Sequence, residues 1–320
     1  MKRYVPAFAL LAAALGFASC SSAPKAPDGI YLRRNETVRY IELAAKSARE
    51  GLRSEAILFY EEAYRLATSV DDARSRVSAL DGLATVYASD AAVVQDAVPS
   101  AEASVIVAPA SSWGAPKDAP SCRKLAASVA AASLSSELVA WAEILEAEAA
   151  LKSGSDGDAL RAAALAESAS AALDGKSAER ARALRALGSA RKALGDSSGA
   201  LSALDEAASI DRKRKRFTEL AADRYLAASV HSKLGDYPAA RTSLLDALEN
   251  DRRAENAAGI GADYRALAMI SEKAGDAGAA IAYYEAARDV FAAGRFAADA
   301  ADAESRLAAL RGSEAPEAGK

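Results

Sequence analysis

The chain has 320 residues, 86 of them alanine, with one histidine, two cysteines and a formal net charge of −4. One histidine cannot build a histidine-based metal site within the chain, and the acidic balance makes nucleic acid a poor partner. Three hundred residues would usually divide into two domains, but few aromatics and abundant alanine suit thin, closely packed helices, which a repeat array accumulates without separate cores.

In chain order, Lys2 and Arg3 precede an apolar stretch from Val5 to Phe17, followed by Ala18-Ser19-Cys20. A short apolar segment with basic residues before it and small residues after it is expected to be a secretion signal, not a membrane span. A cysteine directly after small residues resembles a bacterial lipobox. The resemblance implies a signal peptide over 1–19, lipidation at Cys20 and a flexible tether over 20–35, opening with Ser21-Ser22-Ala23-Pro24-Lys25-Ala26-Pro27. Phe17 stands where leucine is usual, a departure accepted in lineages such as the spirochaetes. The alternative is an ordinary cleaved signal with an incidental Cys20. Cleavage leaves 38 basic residues against 44 acidic. With no acidic residue directly after Cys20, the analogy with enterobacterial sorting favours the outer membrane, periplasmic or surface-facing. Beyond the signal, no run of 18 apolar residues remains to span a bilayer.

Residues 36–90 read as N-terminal helices. A first hairpin covers 36–50 and 53–69, with Val38, Ile41 and Ala45, then Ile57, Tyr60 and Tyr64, at helical spacing. Residues 72–88 form a helix without an evident partner. The stretch 91–122 holds Pro99, Pro109, Pro116 and Pro120 around Trp113-Gly114, and is expected to be an irregular insertion. Helix returns over 123–311, broken near Ser133–Ser136, with turns at Gly154, Gly195, Gly235 and Gly275 and a terminal helix over 297–311 that shields the last hairpin. Residues 312–320 read as a disordered tail.

The turns carry a spacing. Gly195-Asp196, Gly235-Asp236 and Gly275-Asp276 recur every 40 residues, and Gly51 and Gly154 share their context. Five residues after each of these five glycines stands alanine (Ala56, Ala159, Ala200, Ala240, Ala280), and again twelve after (Ala63, Ala166, Ala207, Ala247, Ala287). Seven before stands a small residue: Ala44, Ala147, Gly188, Ala228 or Ala268. Antiparallel helices approach closely only where small residues meet, Gly ends the first helix and Asp caps the second. A fixed period of this size predicts an all-α solenoid of antiparallel helix hairpins.

With its Leu187-Gly188 and Leu267-Ala268 pairs and with Tyr60 and Tyr284 at aromatic positions, this pattern resembles the tetratricopeptide-repeat (TPR) family, in a 40-residue variant of the usual 34-residue period. The resemblance covers 178–293 most closely, and 36–70 and 137–172 more loosely. It implies a right-handed superhelix whose first helices line a concave groove. The family positions carried onto this chain are Arg182, Arg185, Ser189 and Lys192; then Tyr225, Ser229, Ser232 and Lys233; then Arg265, Met269, Glu272 and Lys273. Trp141, Ile144 and Leu151 flank Glu148 and Lys152 further N-terminal. The C-terminal half of the groove thus holds six cations against one anion, suited to gripping carboxylates. The same residues also serve as solvated helix faces.

Enzymatic motifs are lacking. His231, in the last turn of a first helix, reads as a packing residue. Cys122 reads as a buried or unpaired thiol, with an intermolecular bridge as the alternative. Asp156-Gly157-Asp158 lacks the remaining ligands of a calcium loop and reads as a helix cap. The run Arg212-Lys213-Arg214-Lys215-Arg216 complements a helix C-terminus or, if functional, an anionic lipid surface. These residues predict a non-enzymatic, lipid-anchored scaffold binding a protein or acidic peptide in cell-envelope assembly, secretion or transport, with no cofactor, no metal and no nucleic acid. The alternative is an accessory lipoprotein binding a small apolar or anionic ligand between Trp141 and the Trp113 insertion.

Overall fold

The computed structural model describes residues 29–88, 115–152 and 154–314. The expected signal, Cys20, Trp113 and most of the expected insertion lie outside the described residues.

Thirteen helices and no strand occur among the described residues. They are α1 (Gly29–Arg49), α2 (Arg53–Ser69), α3 (Ala73–Ala88), α4 (Ala119–Ala132), α5 (Ser136–Leu151), α6 (Asp156–Ala172), α7 (Ala178–Ala193), α8 (Ser197–Lys213), α9 (Phe217–Lys233), α10 (Tyr237–Arg253), α11 (Ala257–Lys273), α12 (Ala277–Ala293) and α13 (Ala297–Glu314). Successive pairs pack as six hairpins, and α13 covers the last. Three boundaries differ from the sequence reading, one of them at the terminal helix, which runs to Glu314 where a disordered tail is expected from residue 312. The chain is helical from Gly29, where a tether was expected to residue 35: Thr37 is fully buried and donates to the Arg33 carbonyl, and Arg33 donates to Ser69 of α2. The segment expected to be irregular to 122 gives way to α4 at Ala119.

All ten patterned alanines are at most 4 % exposed, and the small residues seven before each turn are equally buried. A Cβ added at Gly188 would stand 2.7 Å from the Leu204 side chain, which is why hydrogen alone fits there. The turn glycines have φ of 74–84°. At Gly195 the Asp196 N–H returns to the Arg191 carbonyl at 2.9 Å, closing the helix end, and the Asp196 carboxylate accepts from the Gly199 N–H at 2.9 Å, opening the next helix. Asp236 and Asp276 repeat both bonds.

The junctions between hairpins use the same device without glycine. Lys215, Glu255 and Arg295 adopt φ of 56, 53 and 63°, and the next residue's N–H returns five positions to Asp211, Asp251 or Phe291. From Gly195 on, left-handed residues therefore fall every 20 positions, glycine alternating with a long side chain. The sequence period of 40 overlies a structural period of half that length.

The array curls until its ends meet. The α1–α2 turn abuts the α12–α13 junction: a Cβ on Gly51 would lie 3.2 Å from a carbon of the Phe296 ring. Lys46, Arg49, Ala254 and Arg295 border a cleft of about 480 Å³ along this seam.

Candidate functional site

Of the six groove cations, the three arginines are already engaged. Arg182 on α7 grips Glu148 of α5 bidentately (Nε–Oε1 2.7 Å, Nη2–Oε2 2.6 Å) and also Asp81 of α3. Arg185 donates to Asp223 and Asp211 at 2.6 Å each and to the Glu219 carbonyl at 3.2 Å. Arg265 pairs with Asp299 at 2.9 Å and lies over the Phe291 ring, 5.4 Å from its centroid. These arginines tie successive hairpins together. The expectation that they present free charge to a ligand is corrected by the carboxylates facing them, which sit far away in sequence.

The lysines behave differently. Lys192, Lys233 and Lys273 form no ion pair with any described residue. They rim one cleft of about 440 Å³ with Ser229 and Ser232, over a floor of Tyr225, Ala228, Leu244, Met269 and Ile270. Lys192 Nζ donates to Ser229 Oγ, Lys233 Nζ to the Lys192 carbonyl at 2.9 Å, and Lys273 Nζ to Ser232 Oγ at 3.0 Å. Burial, then the neighbouring Lys233 charge, lowers the pKa of Lys192. Two ammonium groups thus stand in one another's field with no ion-paired carboxylate among the described residues.

The structure thus brings together Lys192, Tyr225, Ser229, Ser232, Lys233, Met269 and Lys273. Ser189 is half-buried on α7, away from the cleft lining. Trp141 is remote as well, packed among Val129, Leu138 and Leu145 with Arg74 over its ring at 5.8 Å. The basic run caps helices: Arg212 and Lys213 close α8, Arg214 reaches the Lys176 carbonyl, and Arg216 pairs with Asp211 and Glu219. Cys122 is fully buried, donates to the Pro116 carbonyl and has its thiol pushed up to about 12, chiefly by burial. Among the described residues no cluster of three or more His, Cys, Asp or Glu is placed to hold a metal, and no helix is long and apolar enough to cross a membrane.

Sequence reading missed an acid pair beside this cleft. Asp251 and Asp263 are 5 % and 1 % exposed and border one further cleft. Burial raises both pKa values, Asp263 further through the Asp251 charge. Their positions 40 residues after Asp211 and Asp223 are the signal that could have found them.

No protein-family profile matches the chain, and no curated protein sequence matches it. Solved structures do. A Rap protein complexed with competence and sporulation factor aligns over 89 % of this chain and 71 % of its own, with 14 % identity and a TM-score of 0.56. The apo form of RapI aligns over 84 % and 71 %, with 8 % identity and a TM-score of 0.49. TPR-like repeats of a kinesin light chain from Podosopora anserina align over 84 % and 99 %, with 15 % identity and a TM-score of 0.38. The fold is that of a TPR-like helical-repeat solenoid.

Proposed function

We propose that this chain is a non-enzymatic repeat scaffold that holds a carboxylate-bearing peptide or protein segment in the cleft between α7, α9 and α11. The observation that carries this is the convergence of Lys192, Lys233 and Lys273, without ion pairs, in a molecule whose groove arginines are all paired. The apolar floor, with Met269 45 % exposed, accepts a side chain next to the gripped carboxylate. The Rap protein of like fold is complexed with competence and sporulation factor; for this chain the reading rests on its own lysines. The test is titration with a short acidic peptide and with its amidated, glutamine-substituted counterpart. The acidic peptide is expected to bind, more weakly as salt rises, and to be lost on replacing the three lysines by alanine with helical content retained. Equal binding of both peptides sinks the reading.

The scaffold is proposed to act at the cell envelope, exported by residues 1–19 and anchored through a lipid on Cys20, in assembly, secretion or transport. Labelling with an alkyne fatty acid is expected to mark the wild type and not Cys20→Ala. A label retained by the variant refutes the anchor.

A further inference from the structure

A repeat array supplies its own reference. At the α7–α8–α9 junction, Arg185 places a guanidinium between three acceptors: Asp211, Asp223 and the Glu219 carbonyl. Arg216 supplies a second cation, 3.3 Å from Asp211. Forty residues on, at the α9–α10–α11 junction, Asp251 and Asp263 repeat the two carboxylates, and Gly259 repeats the carbonyl position of Glu219. The cations are gone. Tyr225 stands in register with Arg185, and Asn256 with Arg216.

What remains is a cradle with fewer donors than acceptors, one amide standing where the earlier repeat has two guanidiniums. Asn256 Nδ2 donates to Asp251 Oδ1 at 2.8 Å; Asp263 Oδ2 is buried without a hydrogen-bond partner, as Asp223 Oδ2 is, but Asp223 Oδ1 accepts from Arg185 and no described residue donates to Asp263 in the same way. Beside it opens a cleft of about 360 Å³ bordered by Thr218, Tyr225, Asp251, Asn256, Gly259 and Asp263. Glycine keeps that space clear: a Cβ at Gly259 would fall 2.1 Å from Asp251 Oδ2.

We propose that this cleft is a binding site for the guanidinium of an arginine side chain carried by a peptide ligand, which takes the place that Arg185 fills internally one repeat earlier. A planar fork of N–H donors matches two carboxylates and a carbonyl where a lysine ammonium offers a point charge. The raised pKa values of the pair agree with a site that has lost its internal cation, although burial also raises Asp223 to about 7 against the pull of Arg185. Tyr225 borders both this cleft and the lysine cleft, so one ligand can present an arginine to the first and a carboxylate to the second. The inference does not rest on the lysine cleft.

The test titrates the full chain, by calorimetry or chemical shift, with N-acetyl-arginine amide and with its uncharged isostere N-acetyl-citrulline amide. Neither probe carries a carboxylate, so failure here leaves the carboxylate reading standing, and the reverse. The arginine probe is expected to bind at least tenfold more tightly than the isostere, and Asp263→Asn to remove that difference. Tyr225→Arg restores the register of Arg185; it is expected to abolish probe binding and raise the thermal midpoint, and it serves as the test should Asp263→Asn not fold. Equal affinity for the two probes, no binding of the arginine probe, or binding that survives Tyr225→Arg overturns the proposal.

Discussion

Gly235 and Glu255 hold nearly the same job with different means. Each ends a helix in the left-handed region, at φ 78° and 53°, yet only glycine does so without steric cost. Gly235→Ala is expected to destabilise the protein by about 1–2 kcal/mol, and Glu255→Gly to be neutral or stabilising by up to about 1 kcal/mol, read from denaturant midpoints. The acid pair predicts a pH dependence. Asp263 has a folded pKa raised by burial and by Asp251, so the folded state holds a proton that the unfolded chain has already released. The resulting stability is complete below the ordinary carboxylate range and is lost as pH climbs through the raised value. Among the described residues lining the cleft, the titratable neighbours are Asp251 and the Tyr225 phenol. Asp263→Asn is expected to flatten this slope and gain about 2 kcal/mol at mildly alkaline pH. A variant as steep as the wild type between pH 5 and about 8 contradicts the assignment.

The helix pair α3–α4 shows what a sequence conceals at the level of elements. Asp118 caps α4 by accepting from the Ser121 N–H at 2.8 Å, and Cys122 follows four residues later, as Ala200 follows Asp196. Cys122 is therefore the small residue of this hairpin's crossing. Gly82 makes room on the other side of α3, towards α2, where an added Cβ would stand 2.2 Å from the Tyr60 ring. Cys122→Ala is expected to shift stability by less than about 1.5 kcal/mol, whereas Cys122→Leu overpacks the crossing and costs about 1–3 kcal/mol. The hairpin escaped notice because its two helices are separated by residues 89–118 and because cysteine and valine hold the alanine positions. The other five hairpins were legible, since their turns need glycine and their crossings need small side chains, demands that leave marks at fixed offsets. The candidate site was half legible. The concave positions implied by the TPR resemblance put Lys192, Lys233 and Lys273 on one face, and one cleft is lined by all three. The resemblance does not say which cations meet a carboxylate from another hairpin, so Arg182 and Arg185 looked free until Asp81, Glu148, Asp211 and Asp223 stood beside them.

At the scale of the whole array, the six hairpins among the described residues coil far enough for the first to touch the end of the last. The contact is small, a ring against a glycine, with Phe296 held edge-on to Phe291 at 6.3 Å between centroids. Phe296→Ser is expected to leave helical content unchanged while raising the radius of gyration in small-angle scattering. An unchanged radius means the curvature is fixed by the hairpin interfaces alone.

That contact has a use as a gauge. A bound ligand that tilts each hairpin too slightly to detect at any one interface displaces the two ends by the sum of all the tilts. A fluorophore and quencher placed on Arg49 and Arg295 report that sum as a single optical signal, so occupancy of clefts deep in the coil can be followed from its rim.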